Sequence, residues 1–300
     1  MTSAEHPDAP EKFEKHFEVI DQGSITAIEL LSNYSNLSRH KIKQLMHKGA
    51  VWLTHGNNTS RIRRATRKLP VGSILHLYYD EYVLAQMPPK AHLICDEGDY
   101  SVWFKPAGML SQGSKYGDHT SIYRWAETHL QPQRNAFLVH RLDRSTQGLI
   151  LLAHSKKAAA TLAKMFRERK IKKYYQAIVK GYPEPQTIDT DIDGRQAISR
   201  ILSVTETEQA TYTLLDIQIL TGRKHQIRRH LSEIGFPVLG DRLHGQAPDN
   251  GQLPRLYLSA SKIMFTSPFD GQEKNYQLNQ PLYPEFATAD PDFQRQTELN

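Results

Sequence analysis

The sequence has very little cysteine: Cys95 is the one thiol among 300 residues. An internal disulfide is therefore excluded, and so is a zinc site built from several thiolates. Such sparse use of cysteine is typical of reducing compartments, so we expect a cytoplasmic protein.

Long apolar runs are missing as well. No stretch approaches the ~20 apolar residues that a membrane-spanning helix requires. The first 15 residues are polar and of mixed charge, without the basic start and apolar centre of an export signal. The composition predicts a soluble protein with no membrane partner.

Three signatures of cofactor and metal chemistry are absent: the glycine-rich dinucleotide fingerprint, the phosphate-binding loop that ends in Lys-Ser or Lys-Thr, and the His-Glu-x-x-His zinc helix. The 14 histidines are scattered, and the five-residue spacing of His225 and His230 is poor for two ligands on one helical face. We therefore expect neither a cofactor nor a metal.

The chain does have the length and the apolar content for two domains, since 39% of its 300 residues are hydrophobic. Pro88 and Pro89 indicate a linker, because paired prolines extend neither a helix nor a central strand. The predicted organisation is a disordered N-terminus at 1–15, a basic domain at 16–87, a second domain at 91–286 and a tail at 287–300.

Acidic residues are absent from Leu30 to Tyr79, where nine Lys and Arg residues lie. The net charge is +6, so the rest of the chain sums to −3. Such a segment favours nucleic-acid binding, and the alternative is a solvated basic surface. The candidate RNA contacts are Arg39, Lys41, Lys43, Lys48, Arg61, Arg63, Arg64 and Arg67.

The basic segment predicts two helices, Ile25–Tyr34 and His40–Lys48, the second after a Ser38 cap and before Gly49. Strands are predicted at Ala50–Thr54 and Gly72–Tyr79. The stretch from Leu37 to Leu53 resembles the small RNA-binding domain of ribosomal protein S-four, although the turn after its strand differs. The resemblance implies a small N-terminal α+β domain that binds structured RNA.

The second domain has many strands and few helices, without regular alternation, which favours an α+β fold with a largely antiparallel mixed sheet. Its two clearest helices are predicted at Lys156–Arg169 and His225–Ile234. The predicted strands are Tyr100–Phe104, Phe137–Leu142, Leu149–Ala153, Lys173–Val179, Thr211–Leu220 and Leu256–Phe265.

Three segments of this domain can carry chemistry. Asp143 lies between two predicted strands and has Arg141 and Arg144 as neighbours, which would keep its carboxylate ionised for nucleophilic attack or for stabilising a cation at a sugar carbon. The alternative is a turn aspartate that accepts backbone hydrogen bonds.

Arg223 and Arg228 lie at the start of the predicted helix, where two guanidinium groups can hold a phosphate or clamp a carboxylate; a solvated basic helix is the alternative. Tyr175 lies on a predicted strand, as a core residue or as a stacking surface for a base.

In order, these segments resemble the RluA-type pseudouridine synthases. The similar stretches are His140–Asp143 with Thr146–Gly148, Lys173–Ala177, Thr221–Leu231, Lys105–Met109 and Gly235–Asp241. Gln147 stands where the family usually has serine. The resemblance implies the pseudouridine synthase fold and an isomerase that detaches uracil from ribose, turns it and rejoins it through carbon 5.

By resemblance, Asp143 is the nucleophile, Arg228 pairs with it, and Tyr175 packs on the base and helps to remove the carbon-5 proton. Arg141 fills the space of the flipped base or contacts phosphate, with His140 and Arg223 as further RNA contacts. The expected partner is structured RNA, ribosomal before transfer RNA, bound by a monomer. A noncatalytic RNA-binding or ribosome-assembly factor and a glycosylase-like hydrolase are the alternatives.

Overall fold

The computed structural model describes residues 10–20, 25–209, 211–245, 255–278 and 283. The chain divides into two compact units, Met1–Pro88 with Gln112–Trp125, and Pro89–Ser111 with Ala126–Asn300. The segment Gln112–Trp125 lies inside the predicted second domain, yet it groups with the first unit. The predicted tail at 287–300 lies outside the described residues.

The first unit consists of a four-stranded antiparallel sheet, in the order β1-β4-β2-β3, and two main helices. Its apolar core includes Leu31, Ile42, Leu45 and Leu77, all nearly inaccessible to solvent. The elements are β1 (Lys12–Glu18), α1 (Ala27–Tyr34), α2 (Arg39–Lys48), β2 (Val51–His55), β3 (Asn58–Arg61), β4 (Ile74–Asp80) and α3 (Glu81–Ala85).

Strand β1 corrects the prediction of a disordered N-terminus, because Lys12 to Lys15 pair with β4. Phe13 and Phe17 alternate with polar residues and pack against the core. Two aromatic residues spaced by four also fit a helix, so the alternation alone is a weak signal.

The second unit contains a ten-stranded mixed sheet, which confirms the predicted α+β class. The path runs β10-β11-β12-β9-β13-β8-β6-β5, and β14 and β7 pair at its side; the β13–β8 pair is parallel. The strands are β5 (His92–Asp96), β6 (Tyr100–Lys105), β7 (Phe137–Leu138), β8 (Gln147–Ala153), β9 (Lys172–Lys180), β10 (Thr187–Asp189), β11 (Ile198–Glu206), β12 (Tyr212–Ile219), β13 (Leu258–Thr266) and β14 (Glu273–Gln277).

The helices that follow the first three are α4 (Ile122–His129), whose residues divide between the two units, α5 (Lys156–Arg167) and α6 (Gln226–Glu233). Ser155 caps α5 by accepting from the Ala158 amide, and the helix begins at Lys156, as predicted. Helix α5 buries Ala158, Leu162 and Met165 in a core shared with the sheet. Among the described residues, no helix combines the length and apolarity needed to cross a bilayer.

Gly148 explains how β8 and β13 can approach each other closely. A Cβ atom there would lie 2.3 Å from the Ala260 carbonyl oxygen, and the Gly148 φ of 115° is one that side chains rarely adopt. Ala260 pairs with Gly148 on one side and with Tyr175 on the other, so only β13 separates the start of β8 from β9. This juxtaposition places the turn that carries Asp143 near the tyrosine strand.

Candidate active site

The aspartate segment lies in the turn between β7 and β8, so Asp143 is at a sheet end, as predicted. The Asp143 carbonyl accepts from the Thr146 amide at 3.1 Å, which closes the turn. The side chain is 22% exposed and lines a cleft of about 700 Å³ in the second unit. The carboxylate is thus accessible to a ligand.

A neighbouring segment, the support loop (106–111), holds both neighbours of Asp143. Ser111 Oγ donates to the Leu142 carbonyl at 2.6 Å and accepts from the Leu142 amide at 3.0 Å. The Gly108 amide donates to the Arg144 carbonyl at 2.7 Å, and Arg144 Nε donates back to the Gly108 carbonyl. The backbone at Asp143 is therefore fixed from both sides.

Lys105 lies beneath this arrangement and is completely buried. Its Nζ donates to the carbonyls of Met109 at 2.9 Å and Pro106 at 3.2 Å. Burial lowers the pKa of the Lys105 ammonium to about 7, although the nearby Asp143 carboxylate acts in the opposite direction. The stretch Lys105–Met109 resembles a family motif in the sequence, but nothing in that resemblance indicates a role for Lys105.

The cleft brings together six residues that the sequence analysis named: His140, Arg141, Asp143, Tyr175, Arg223 and Arg228. Its lining also includes Arg167, Arg169, Lys173 and Lys224. Among the described residues that line the cleft, Asp143 is the one carboxylate, against seven Lys and Arg side chains. A cavity of this charge suits an anionic ligand such as RNA.

Arg228 differs from its expected pairing with Asp143. Its Nε and Nη2 donate to the two carboxylate oxygens of Asp241 at 2.7 and 2.6 Å, and both side chains are buried. Burial raises the pKa of Asp241, but hydrogen bonds from Arg228 and from the Leu243 and His244 amides outweigh it, so the pKa is lowered. Arg228 thus clamps a carboxylate, one of its two predicted functions.

Asp143 has a different neighbour, His225, whose Nε2 lies 3.9 Å from Asp143 Oδ2. His225 precedes α6 in a left-handed conformation with φ 54°. Its Nδ1 lies 3.0 Å from Nε2 of His244, a residue that follows Asp241. The sequence analysis used His225 as a helix start and gave it no chemical role.

Tyr175 is 7% exposed and lies centrally in the sheet, between β12 and β13. Burial raises the pKa of its hydroxyl, and the Asp143 charge raises it further. The phenol is therefore neutral at neutral pH and is a poor acceptor for the carbon-5 proton. Its aromatic ring at the cleft fits the expected contact with a base.

His140 and Arg223, expected as RNA contacts, have internal partners. His140 Nε2 accepts from the Leu151 amide at 2.9 Å, and burial, with the Lys173 charge, lowers the pKa of His140 to about 3. Arg223 Nε donates to the Gln196 carbonyl at 3.0 Å. Arg141 is exposed, and within the described part of the chain no hydrogen bond or ion pair joins it to another residue.

In the first unit, Arg61 and Arg63 differ from the free RNA contacts that we expected. Both approach the buried Asp118 carboxylate, with Nε of Arg61 at 3.4 Å and Nη2 of Arg63 at 2.5 Å. The Arg61 guanidinium also stacks on Trp52, 4.1 Å from the ring centroid. These two arginines therefore hold the unit together, with Asp118 supplied from a distant part of the sequence.

Among the remaining predicted contacts of this unit, Lys48 Nζ donates to the Leu84 carbonyl at 2.6 Å, and Lys41 lies over the Tyr79 ring. Gly49 ends α2 with φ 81°, and a Cβ there would lie 2.3 Å from Asp118 Oδ1, so glycine makes room for the carboxylate. The exposed cations of the predicted set are Arg39, Lys43, Arg64 and Arg67.

The chain matches a family model and several known proteins. Residues 99–233 match the family model described as RNA pseudouridylate synthase. An uncharacterized RNA pseudouridine synthase of Chloroflexus aurantiacus is 30% identical over 266 residues, covering 80% of this chain and 81% of the relative. A protein of the same name from Aquifex aeolicus is 28% identical over 282 residues, with 83% and 87% covered.

The tRNA pseudouridine synthase C of Vibrio parahaemolyticus is 30% identical over 201 residues, covering 56% of this chain and 82% of the relative. Among solved structures, human RNA Pseudouridylate Synthase Domain Containing 1 has a TM-score of 0.55 at 20% identity, covering 72% of this chain and 98% of that chain. At that identity the likeness shows the fold.

The chain belongs to the RluA-type family of RNA pseudouridine synthases. Its activity is the isomerisation of uridine in RNA to pseudouridine, and a noncatalytic RNA-binding factor is not favoured.

Proposed function

We propose that the enzyme modifies a specific uridine in structured RNA, with large-subunit ribosomal RNA as the first target, and that Asp143 is its nucleophile. The observation that carries the proposal is the position of Asp143, which, in the part of the chain that the structure describes, is the one carboxylate of a cleft lined by seven cationic side chains. Cations attract the phosphate backbone, and a fixed carboxylate can attack or stabilise the sugar carbon.

The other cleft residues receive roles from their contacts. Tyr175 offers its ring to the flipped base. Arg228 acts through Asp241, because Nε and Nη2 of its guanidinium both donate to that carboxylate. Arg141 is exposed beside the nucleophile and occupies the space that the base leaves, offsetting an unstacking cost of a few kcal/mol.

The first unit supplies additional RNA affinity in this proposal, as a domain similar to that of ribosomal protein S-four. Support comes from the exposed cations Arg39, Lys43, Arg64 and Arg67. The matches to the Chloroflexus and Aquifex relatives cover 80% and 83% of the chain, more than residues 91–300 alone can supply, so part of the basic segment is shared with them.

Transfer RNA is the second candidate target, since several relatives at about the same identity are named tRNA pseudouridine synthase C. Those matches, however, cover 56% of this chain, which is less than the length of the second unit alone. They therefore need not include the basic first unit. An additional basic domain is more useful on a large folded RNA, which offers many phosphates outside the modified stem.

The test is to map pseudouridine in all RNA from cells that lack the gene and from cells that carry either the natural enzyme or Asp143→Asn. We expect one or a few ribosomal sites to lose pseudouridine in the deletion, to regain it with the natural enzyme and to stay unmodified with Asp143→Asn. Loss confined to transfer RNA would overturn the ribosomal target, and modification by Asp143→Asn would overturn the nucleophile.

A further inference from the structure

The reaction requires a proton acceptor that the residues discussed so far do not supply. Once carbon 5 of uracil has bonded to the sugar, it still carries its hydrogen, which must leave. Tyr175 is disfavoured because burial and Asp143 both keep its hydroxyl protonated. Lys173 has no carboxylate partner in the described part of the chain, and its Nζ lies over the ring of Phe166, which packs against His140.

The contacts of His225 fit this task. It lines the cleft, is 17% exposed, and holds Nε2 3.9 Å from Asp143 Oδ2. No other side chain in the described part of the chain brings a neutral nitrogen base within 4 Å of that carboxylate. A proton acceptor at this place would lie close to the uracil that Asp143 detaches from the sugar.

The backbone at His225 gives a second, independent indication. The residue has φ 54° and ψ 28°, a left-handed conformation that few non-glycine residues adopt, with histidine, asparagine and aspartate the more frequent among them. Such local strain is found preferentially at functional sites, where the surrounding structure maintains it. Here the turn before α6 maintains it, since Gln226 Oε1 accepts from Thr221 Oγ1 and from the Arg223 amide.

His244 completes the arrangement behind His225. Asp241 Oδ1 accepts from the His244 amide at 3.0 Å, and Ser232 Oγ donates to the His244 carbonyl at 2.6 Å. When His225 Nδ1–H donates to His244 Nε2, the lone pair of His225 Nε2 faces the cleft. The clamp between Arg228 and Asp241 thereby positions the ring that supports His225.

We propose that His225 is the catalytic proton acceptor for carbon 5 of the uracil, and that His244 is its positioning residue. In the proposed step the C5–H bond breaks and its proton goes to Nε2 of His225. The electron pair of that bond forms the C5–C6 double bond, and the N1–C6 double-bond pair moves to N1. N1 takes a proton from solvent, and the imidazolium returns its proton to solvent.

The electrostatic surroundings favour a neutral imidazole before the step. Burial lowers the pKa of His225, and the charges of Arg228, Lys224 and His244 lower it further, while Asp143 acts in the opposite direction. The pKa of His244 is also lowered by burial and by Arg228 and Arg229, against Asp241 and Asp143. Asp143 then stabilises the imidazolium that forms.

The test uses total RNA from cells that lack the gene, labelled with 5-³H-uridine and 2-¹⁴C-uridine, so it depends on the family activity and is independent of which RNA is the target. The full-length enzyme is compared with His225→Gly, because glycine tolerates the left-handed backbone and leaves space for added imidazole. The ratio of released tritium to ¹⁴C-pseudouridine at low conversion reports the isotope effect on loss of the carbon-5 hydrogen.

We expect His225→Gly to slow pseudouridine formation by about 10²- to 10⁴-fold, the usual contribution of general acid–base catalysis. Its tritium ratio falls because loss of the hydrogen becomes slow, and imidazole restores both the rate and the ratio. An unchanged rate overturns the proposal, and so does a slow variant whose ratio equals that of the natural enzyme or that imidazole does not accelerate.

Two further variants separate chemistry from folding. Asparagine also tolerates the left-handed backbone, so His225→Asn should retain RNA binding and the natural unfolding midpoint. Its rate of pseudouridine formation should be low, and added imidazole should not raise that rate. His230→Asn is the matched control, because His230 is buried on the same helix with Ser199 and Thr190 as partners and does not line the cleft. It should keep the natural tritium ratio; a lowered ratio there would assign the effect to helix packing.

A last variant tests the positioning residue. His244→Leu removes the acceptor for His225 Nδ1–H together with the His244 charge that lowers the pKa of His225, so it should shift the acidic limb of the pH–rate profile. His244→Gln keeps an acceptor oxygen and should restore the limb partly. Identical profiles for the natural enzyme and His244→Leu would overturn the role of His244.

Discussion

Ser111 Oγ forms two hydrogen bonds with the backbone of a single residue, Leu142, donating to its carbonyl and accepting from its amide. Because Leu142 directly precedes Asp143, the proposed nucleophile, this one hydroxyl fixes the backbone beside Asp143 from outside its own turn.

We predict that Ser111→Ala lowers the free energy of unfolding by about 1–3 kcal/mol, since a buried amide and a buried carbonyl lose their partner. It should also lower kcat by roughly 10- to 100-fold through misplacement of Asp143, with RNA affinity unchanged. Urea unfolding, single-turnover kinetics and filter binding measure the three quantities. Natural kcat in a destabilised Ser111→Ala enzyme would show that the pair serves stability alone.

For Lys105 we predict a pH-dependent stability. Its pKa is about 7 in the fold and close to 10.5 when unfolded, so between these values the unfolded chain binds one more proton than the folded chain. Stability therefore rises with pH across this window, by up to about 1.4 kcal/mol per pH unit. Below pH 7 Lys105 is protonated in both the folded and the unfolded chain, so it no longer makes the stability depend on pH.

The measurement is urea unfolding of the natural enzyme and of Lys105→Met at pH 6.5, 8 and 9.5. The difference between the two should shift in favour of the natural enzyme as pH rises. A difference that stays constant with pH would mean that Lys105 keeps an ordinary pKa in the fold.

The Arg228–Asp241 pair predicts matched losses. Arg228→Lys and Asp241→Asn should each cost about 3–5 kcal/mol of stability, because each leaves a buried group without its bidentate partner. The double variant should cost less than the sum by at least about 1 kcal/mol. Both single variants should lower kcat to a similar extent if Arg228 acts through Asp241; natural kcat in Asp241→Asn alone would indicate direct action of Arg228.

The first unit allows RNA contacts to be separated from structural cations. Arg64→Gln with Arg67→Gln should lower RNA affinity and reduce the slope of log affinity against log salt by about 1.5, the value for two lost phosphate contacts. The unfolding midpoint should not change, since both side chains are exposed.

The matched control is Arg61→Gln with Arg63→Gln, which removes the same charge but leaves Asp118 buried without a cation. The double variant should lower the unfolding midpoint of the first unit. The fluorescence of Trp52 measures that midpoint. An unchanged salt slope in the Arg64 and Arg67 variant would show that this surface does not contact RNA.

Most of the site could be predicted from the sequence, because the family's motifs are short and each contains its reactive residue. Asp143, Tyr175, Arg141 and Arg228 all line one cleft. The partners of those residues could not be predicted, since Asp241 and His225 lie in turns and loops that no helical or strand period describes.

The fold shows the same division. The helices α1, α2, α5 and α6 and the strands β6, β8, β9, β12 and β13 lie close to their predicted ranges, because each has a regular apolar pattern. Strand β11 was missed because its apolar alternation is broken, with Ser199 buried and Leu202 exposed, and β1 because two aromatic residues carry its whole apolar signal.

The ion pairs of Asp118 have a practical consequence for dissecting the enzyme. The first 88 residues and the stretch 112–125 form one folded body, so a gene cut at the Pro88–Pro89 junction does not release an intact catalytic half. The remaining piece keeps Asp118, whose carboxylate is buried between Arg61 and Arg63 in the whole chain, but it lacks both arginines. Loss of activity in such a truncated protein would therefore reflect damage to its fold, and it could not be assigned to lost RNA binding alone.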